Sequence, residues 1–239
     1  MTGNSHQDES AAAAPGAAAA ASGLPWQRLV SSGKLEYDRI LFFSDAIFAI
    51  AITLLVVDIR VPSPASGTIH AAQQLQLAWP QMLGFGISFA VIGRFWVGHH
   101  TMFRHITAFD RTMIWLNLLF LGTIAFLPYP TSLLSVTTAD TASVAFYAAW
   151  VGAAGVAEAA IWIHACRVPG LVSAEITPQL RRHYALRMLV ASAVFLLSIP
   201  VAVVAPSVAP FTWILIGVLG FILRRRMPLG DDGSDREPV

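Results

Sequence analysis

Residues 39–58 read RILFFSDAIFAIAITLLVVD, an almost entirely apolar run with a charged residue at each end. A helix needs about 20 such residues to cross the roughly 30 Å hydrocarbon core of a bilayer. Of the 239 residues in the chain, 56% are hydrophobic and 12% are charged, against about 25% charged in soluble domains. The run and the composition together predict an all-α integral membrane protein and argue against a soluble enzyme.

Hydropathy divides the rest of the chain into further spans. After a first span over residues 40–59, apolar windows cover residues 79–100, 112–129 and 142–164. We expect Pro80 to lie in the first turn of its helix, and Pro128 and Pro130 to end the third span. Residues 188–223 are too long for one crossing, so Pro200, Pro206 and Pro210 predict a hairpin between a short fifth and a short sixth span.

The basic residues support six spans and a cytoplasmic N-terminus. With six crossings, every Lys and Arg except Arg60 falls on the side of the two termini, as expected for cytoplasmic loops. Residues 1–23 contain no Lys or Arg and lack the features of a signal peptide. We therefore expect a disordered Ala-rich cytoplasmic tail over residues 1–33, a six-helix transmembrane domain over 34–226 and a polar C-terminal tail over 227–239, in a multi-pass protein of the cell membrane.

Two acidic residues inside the predicted spans require an explanation, because a charge at membrane depth costs at least about 2.5 kcal/mol. Asp45 lies more than a turn inside the first span, and Glu158 lies in the middle of the fourth. Asp45 is either a buried carboxylate that fastens the first helix to its neighbours or a proton- or ion-binding group. Either residue would also suit a proton-coupled secondary transporter, although the chain has no internal repeat of the kind common in transporters.

The first span carries a stripe of large apolar side chains at helical spacing. Ile47, Ile50, Leu54 and Val57 recur every three or four residues, beside small residues such as Ala49. Such a stripe usually packs helices together. It also suits a hydrophobic pore constriction, in which symmetry copies meet around an axis. Periodicity does not distinguish these two interpretations.

The motifs of the first three spans resemble those of one channel family. Arg39, Phe43-Ser44-Asp45 and the run to Leu55 are similar to the first helix of the bacterial branch of the transmembrane protein 175 potassium channels. The resemblance continues to residue 134 and includes Ser88-Phe89, Trp96, His99-His100, Asn117-Leu118-Leu119, Leu127-Pro128 and Pro130-Thr131.

The resemblance implies a potassium-preferring channel that is a homotetramer in the lipid bilayer, because the chain carries a single Phe-Ser-Asp motif. The first helix of each subunit would then line the central pore, with Ile50, Leu54 and Val57 at the constriction and Thr53 tuning selectivity for potassium. The family pattern also implies a structural anchor near the cytoplasmic ends of spans one to three, formed by Arg39, Phe43, Ser44, Asp45, Trp96, His99, His100 and Asn117. Potassium would be the permeant ion, with no cofactor and no catalytic residues.

Other classes of function have weaker support in the sequence. A metal site at His99, His100 and His105 is disfavoured because adjacent histidines on a helix point about 100° apart. Ser44 beside Asp45 lacks the relay of a hydrolase. The net charge of +1 argues against nucleic acid as a partner, and the single cysteine excludes an intrachain disulfide.

Overall fold

The computed structural model describes residues 25–60, 70–137, 140–217 and 219, with side chains from Tyr37 onward. The chain forms two units, Met1–Arg39 and Ile40–Val239. The described residues are helical, with no strand beyond one isolated bridge. The helices are α1 (Pro25–Val57), α2 (Ala71–Phe103), α3 (Arg111–Phe126), α4 (Pro128–Val136), α5 (Thr141–Arg167), α6 (Pro178–Val204) and α7 (Ala209–Thr212).

Five segments of the described chain are long and apolar enough to cross a membrane. They are Tyr37–Val57, Ala71–Phe103, Arg111–Val136, Thr141–Arg167 and Pro178–Val204. The predicted sixth span, the basic residues near 225 and the C-terminal tail lie wholly or partly outside the described residues. So do residues 1–24 of the predicted N-terminal tail, whereas residues 25–33 of it belong to α1.

The helix boundaries correct two predictions about prolines. Pro80 lies inside α2, which begins at Ala71, and Pro200 lies inside α6, which ends at Val204. The chain turns only at residues 205–208, and α6 has 27 residues, so the fifth span is not short. A helix in hydrocarbon tolerates proline because no water competes for the remaining backbone groups and neighbouring helices support it.

The third span breaks at Leu127 but does not end there, contrary to the prediction. Its second half, α4, starts with Pro128, whose missing N–H is not needed in a first turn. At the break the N–H of Leu127 donates to Ile124 O at 3.1 Å, one residue closer than in an α-helix. The carbonyl of Thr123 instead accepts a bond of 2.9 Å from the indole Nε1 of Trp150 on α5.

Helix α5 is the most deeply buried span, with 61% of its apolar window inside the protein, against 22% for α1 and α2. Small residues make this position possible because they let helix backbones approach closely. A Cβ at Gly155 would meet Ser192 Oγ of α6, and a Cβ at Gly152 would lie 2.6 Å from Leu196 Cδ2. The buried aromatic residues Tyr147 and Trp162 fill the remaining space along α5.

Two loops at one end of the helices are joined through backbone and side chains. An isolated antiparallel bridge pairs Ile106, between α2 and α3, with Val172, between α5 and α6. Close by, Asp110 caps α3 by accepting the N–H of Met113 at 2.7 Å. Its other oxygen contacts His164 Nε2 of α5 at 2.8 Å. Burial alone would raise the pKa of Asp110, but these two hydrogen bonds and the charge of His164 outweigh it and lower the pKa.

We expect the negative charge of Asp110 to stabilise the fold only above acidic pH. A lowered pKa means that the contribution is present above the unfolded value of about 3.9 and is lost as pH falls through the folded value. Asp110→Asn keeps a capping oxygen but removes the charge, so its melting temperature in detergent should lie below that of the wild type at pH 7, and the gap should narrow as the pH falls below about 4. Asp110→Ala also loses the cap, at a cost of about 1 kcal/mol at any pH. A constant gap between wild type and Asp110→Asn across this range would contradict the assignment.

Candidate functional site in the first three helices

Helix α1 has one face inside the subunit and another outside it. Phe48, Ala51 and Leu55 are at most 2% exposed and form part of the core. Ile50 is 57% exposed, Leu54 44% and Val57 71%. These three side chains therefore do not pack against other helices of their own subunit. Their face of α1 is open to lipid, water or a second subunit.

Thr53 lies on the same exposed face of α1. Its hydroxyl donates to the carbonyl of Ile50 at 2.9 Å, a bond within one helical turn. Because the single hydroxyl proton is used in this bond, the lone pairs of the oxygen stay available on the exposed side. Each subunit thus presents one oxygen acceptor, from Thr53, among the apolar side chains of Ile50 and Leu54.

A buried chain of hydrogen bonds joins α1, α2 and α3. Asn117 Nδ2 donates to Ser44 Oγ at 3.2 Å, and Ser44 Oγ donates to the carbonyl of Ile40 at 2.9 Å. On the other side, Asn117 Oδ1 lies 3.0 Å from His99 Nε2. An amide oxygen only accepts, so Nε2 of His99 must carry the proton. All three side chains are at most 2% exposed, and every bond runs in one consistent direction.

Aromatic rings surround the imidazole of His99. The rings of Phe48 on α1, Phe103 on α2 and Phe120 on α3 lie with their centroids 5.6, 4.2 and 5.7 Å from that of His99. This apolar shell keeps water from the hydrogen bond between His99 and Asn117. The arrangement suits a fixed structural junction between helices better than a proton-transfer group, which needs access to water.

Asp45 and its partners lie at the exposed edge of this junction. The indole of Trp96 donates to Asp45 Oδ1 at 2.9 Å, and Trp96 stacks on His100 with centroids 5.6 Å apart. Asp45 is exposed in the single subunit rather than buried within it, and the contact with a neighbouring helix that the anchoring interpretation implied is present. Phe43 is half exposed beside it, and Arg39 belongs to the other unit of the chain.

The structure also brings together polar residues that the sequence did not connect. Ser88 on α2, Thr131 on α4 and Tyr147 on α5 are buried, with Thr131 Oγ1 at 2.8 Å and Tyr147 OH at 3.0 Å from Ser88 Oγ. Two of these residues occur in the motifs of the resemblance, but Tyr147 does not. The separation along the chain hides this network, because no local spacing links α2 to α5.

Glu158 pairs with Arg94, a residue that the charge pattern places on the cytoplasmic side. Arg94 lies within α2, and its Nη1 is 3.6 Å from Glu158 Oε2. The side chain of Glu158 is 1% exposed, and neither of its oxygens has a hydrogen-bond partner within the described residues. Gly98, one turn after Arg94, leaves the space that the carboxylate of Glu158 fills.

The third histidine considered for a metal site, His105, contacts Tyr184 of α6 instead, with Nε2 3.4 Å from the hydroxyl.

Comparison with known proteins gives consistent matches. The family described as the endosomal/lysosomal potassium channel TMEM175 matches residues 39–128. A protein named potassium channel from Streptomyces collinus is 35% identical over 188 residues, which cover 77% of this chain and 89% of that protein. A protein named endosomal/lysosomal proton channel TMEM175 from Mus musculus is 39% identical over 103 residues, 20% of its length. The crystal structure of a lysosomal potassium-selective channel TMEM175 homolog from Chamaesiphon minutus matches with a TM-score of 0.64 at 27% identity and covers 80% of this chain and 97% of that one.

We expect Asn117→Ala to destabilise the protein more than Trp96→Phe does. The first change leaves the buried N–H of His99 without its acceptor, at a cost of about 1–3 kcal/mol. The second removes one bond at the exposed edge of the junction, where Trp96 is 40% exposed and no buried group loses its partner. Melting temperatures of both variants in the same detergent measure the difference. Equal losses, or a larger loss for Trp96→Phe, would show that the exposed pair holds the helices instead.

Proposed function

Because this chain belongs to the TMEM175 family of potassium channels, we propose that it forms a potassium-preferring cation channel whose constriction is made by the first helix of four subunits. A single subunit has one copy of α1, and one helix does not enclose a pathway. Four copies around an axis would bring four exposed faces together. The assembly would be a homotetramer in the cell membrane, with both termini in the cytoplasm and no catalytic residues.

The observation that carries this proposal is the exposure of Ile50, Leu54 and Val57 on a helix whose opposite face is in the core. In a membrane an exposed apolar face can simply contact lipid. A position at the central axis is favoured because the same face carries small residues and the hydroxyl of Thr53. Neither feature would benefit a surface that contacts lipid. The junction of Ser44, His99 and Asn117 would hold this face toward the axis.

An apolar ring conducts ions only when it is wide enough to stay wet. Rings of Ile50 and Leu54 present a dewetting barrier when narrow and a hydrated path when the helices move apart. A partly hydrated cation passing Thr53 would exchange some water for hydroxyl oxygens whose protons are already donated to the backbone. Preference among cations would then depend on ring width and on these four oxygens, and should be weaker than in a filter of carbonyl groups.

A proton-coupled transporter that uses Asp45 or Glu158 is the alternative. The relative from Mus musculus is named a proton channel, so proton flux is tested as well. Asp45 is bonded to Trp96 and Glu158 is paired with Arg94, so each carboxylate already has a structural partner. Unitary current steps without a proton gradient, recorded from purified protein in a planar bilayer, would exclude the carrier. Coupled flux without such steps would support it.

We expect Ile50→Asn to raise cation leak and weaken ion preference while the oligomer still forms. Four side chains change together at one level of the pore, and the polar amides remove the dewetting barrier. Because Ile50 is 57% exposed, the substitution should cost less than the 2–5 kcal/mol typical of truncation in a core. Vesicle flux assays and size-exclusion chromatography measure the two effects.

Leu189→Asn is the matched control for Ile50→Asn, since Leu189 of α6 is 40% exposed and lies outside the proposed pore. It should leave ion flux at the wild-type level.

A thiol test is independent of both variants: Ile50→Cys in a Cys166→Ser background should react with a small cationic reagent that blocks current. An unreactive thiol in a conducting channel, together with normal flux in Ile50→Asn, would place the constriction elsewhere.

We expect Thr53→Val to lower the ratio of potassium to sodium permeability while current persists. Valine keeps the shape of the side chain and removes the oxygen, so the loss should be about two- to fivefold, or roughly 0.5–1 kcal/mol. Thr53→Ser retains the oxygen and should stay closer to wild type. Reversal potentials under opposed potassium and sodium gradients give both ratios, and an unchanged ratio in Thr53→Val would remove Thr53 from the selectivity mechanism.

A further inference from the structure

A large apolar cavity lies away from the exposed face of α1. It has a volume of about 880 Å³ and is formed by α2, α4, α5, α6 and the segment after α6. This size falls within the roughly 300–1,000 Å³ of small-molecule sites. Its lining is mainly aliphatic and aromatic and includes Ile87, Val91, Phe195, Phe211 and Trp213. Ile87 and Phe211 are also exposed, 38% and 68%, so the cavity opens at the surface of the subunit.

One charged residue, Arg94, is among the residues that line this cavity. At 3.6 Å its contact with Glu158 is a charge interaction longer than a normal hydrogen bond. Its other recorded contact is with the ring of Phe95, whose centroid lies 5.6 Å from Cζ. Within the described residues no further acceptor contacts Arg94, which has five N–H donors in a fork that fits phosphate. A cation with unused donors therefore lies at the wall of an apolar space.

The cavity is somewhat longer than one leaflet of a bilayer is thick. Along α2 its lining extends from Pro80 to Arg94, about 21 Å at 1.5 Å per residue. One leaflet of hydrocarbon is about 15 Å thick. An acyl chain can thus lie along α2 with its polar end at Arg94. Pockets that combine a basic residue with apolar walls between membrane helices are suited to anionic lipids.

We propose that the cavity binds one acyl chain of an anionic phospholipid from the surrounding bilayer, with the lipid phosphate paired to Arg94. Glu158 orients the guanidinium from the opposite side and competes with the phosphate for its charge. The two members of this ion pair therefore have opposite effects on the lipid. Removing the charge of Arg94 weakens binding, whereas removing the charge of Glu158 strengthens it.

Native mass spectrometry tests this on full-length protein equilibrated with vesicles of equal phosphatidylglycerol and phosphatidylcholine. Wild-type protein should retain phosphatidylglycerol in preference to phosphatidylcholine. Arg94→Gln should lower that preference by about three- to tenfold, the effect of one charge-assisted contact. Arg94→Lys should keep most of it, and Glu158→Gln should raise it. If the pair is only structural, both Arg94→Gln and Glu158→Gln lower the melting temperature and neither changes the lipid ratio, which would overturn the proposal.

Two further variants locate the lipid. Arg104→Gln removes an exposed charge at the end of α2, outside the cavity lining, and should leave the preference unchanged. Ala90→Trp adds a large ring to the lining and should lower retention of both lipids. Equal effects of Arg94→Gln and Arg104→Gln would indicate general surface binding and overturn the proposal. So would unchanged retention in Ala90→Trp, as expected if another part of the chain fills the cavity, or retention of a free fatty acid in place of the phospholipid.

Discussion

The orientation of α1 depends on the two hydrogen bonds of the Asn117 side chain. In hydrocarbon an unpaired amide has no water to bond, so the bonds of Asn117 to Ser44 and His99 fix three helices with little freedom to slide or rotate. Rotation of α1 that buried Ile50 would withdraw Ser44 from its partner. The exposed face of α1 is therefore a consequence of polar contacts on its opposite side, while apolar packing by Phe48 alone would tolerate several rotations.

Elsewhere the fold depends on how closely its helices approach. Gly98 and Gly155 leave room on α2 and α5 for a carboxylate and for Ser192, so the ion pair of Arg94 with Glu158 can exist beside tight backbone packing. Burying the carboxylate of Glu158 is expensive, and its pairing with the partly exposed Arg94 adds little stability by itself. The ion pair instead fixes the lateral position of α2 relative to α5, because a shift of either helix would separate the two charges.

Sequence reasoning located the spans well and their interruptions poorly. Hydropathy and spacing predicted the helical run after Arg39 and placed Ile50, Leu54 and Val57 on one stripe of it, because both follow from local periodicity. Sequence reasoning misplaced Pro80 at the start of a helix and Pro200 in a hairpin, since a rule from water-exposed helices does not hold where neighbouring helices support the backbone. The grouping of Ser44, His99 and Asn117 came only from resemblance to a family. The pairing of Arg94 with Glu158 had no local signal at all, because contacts between distant helices leave no trace in spacing.

The broken third span has an effect on how substitutions combine. Because Pro128 begins a new helix, Leu127 bonds to Ile124 and the carbonyl of Thr123 is left for Trp150. The indole thus supplies a donor to a carbonyl that the break leaves without its backbone partner, although the two residues lie on different helices. Pro128 and Trp150 are therefore expected to be energetically coupled: replacing the proline by a helix former would offer the Thr123 carbonyl a backbone partner, so loss of the tryptophan N–H should then cost less than in the wild type.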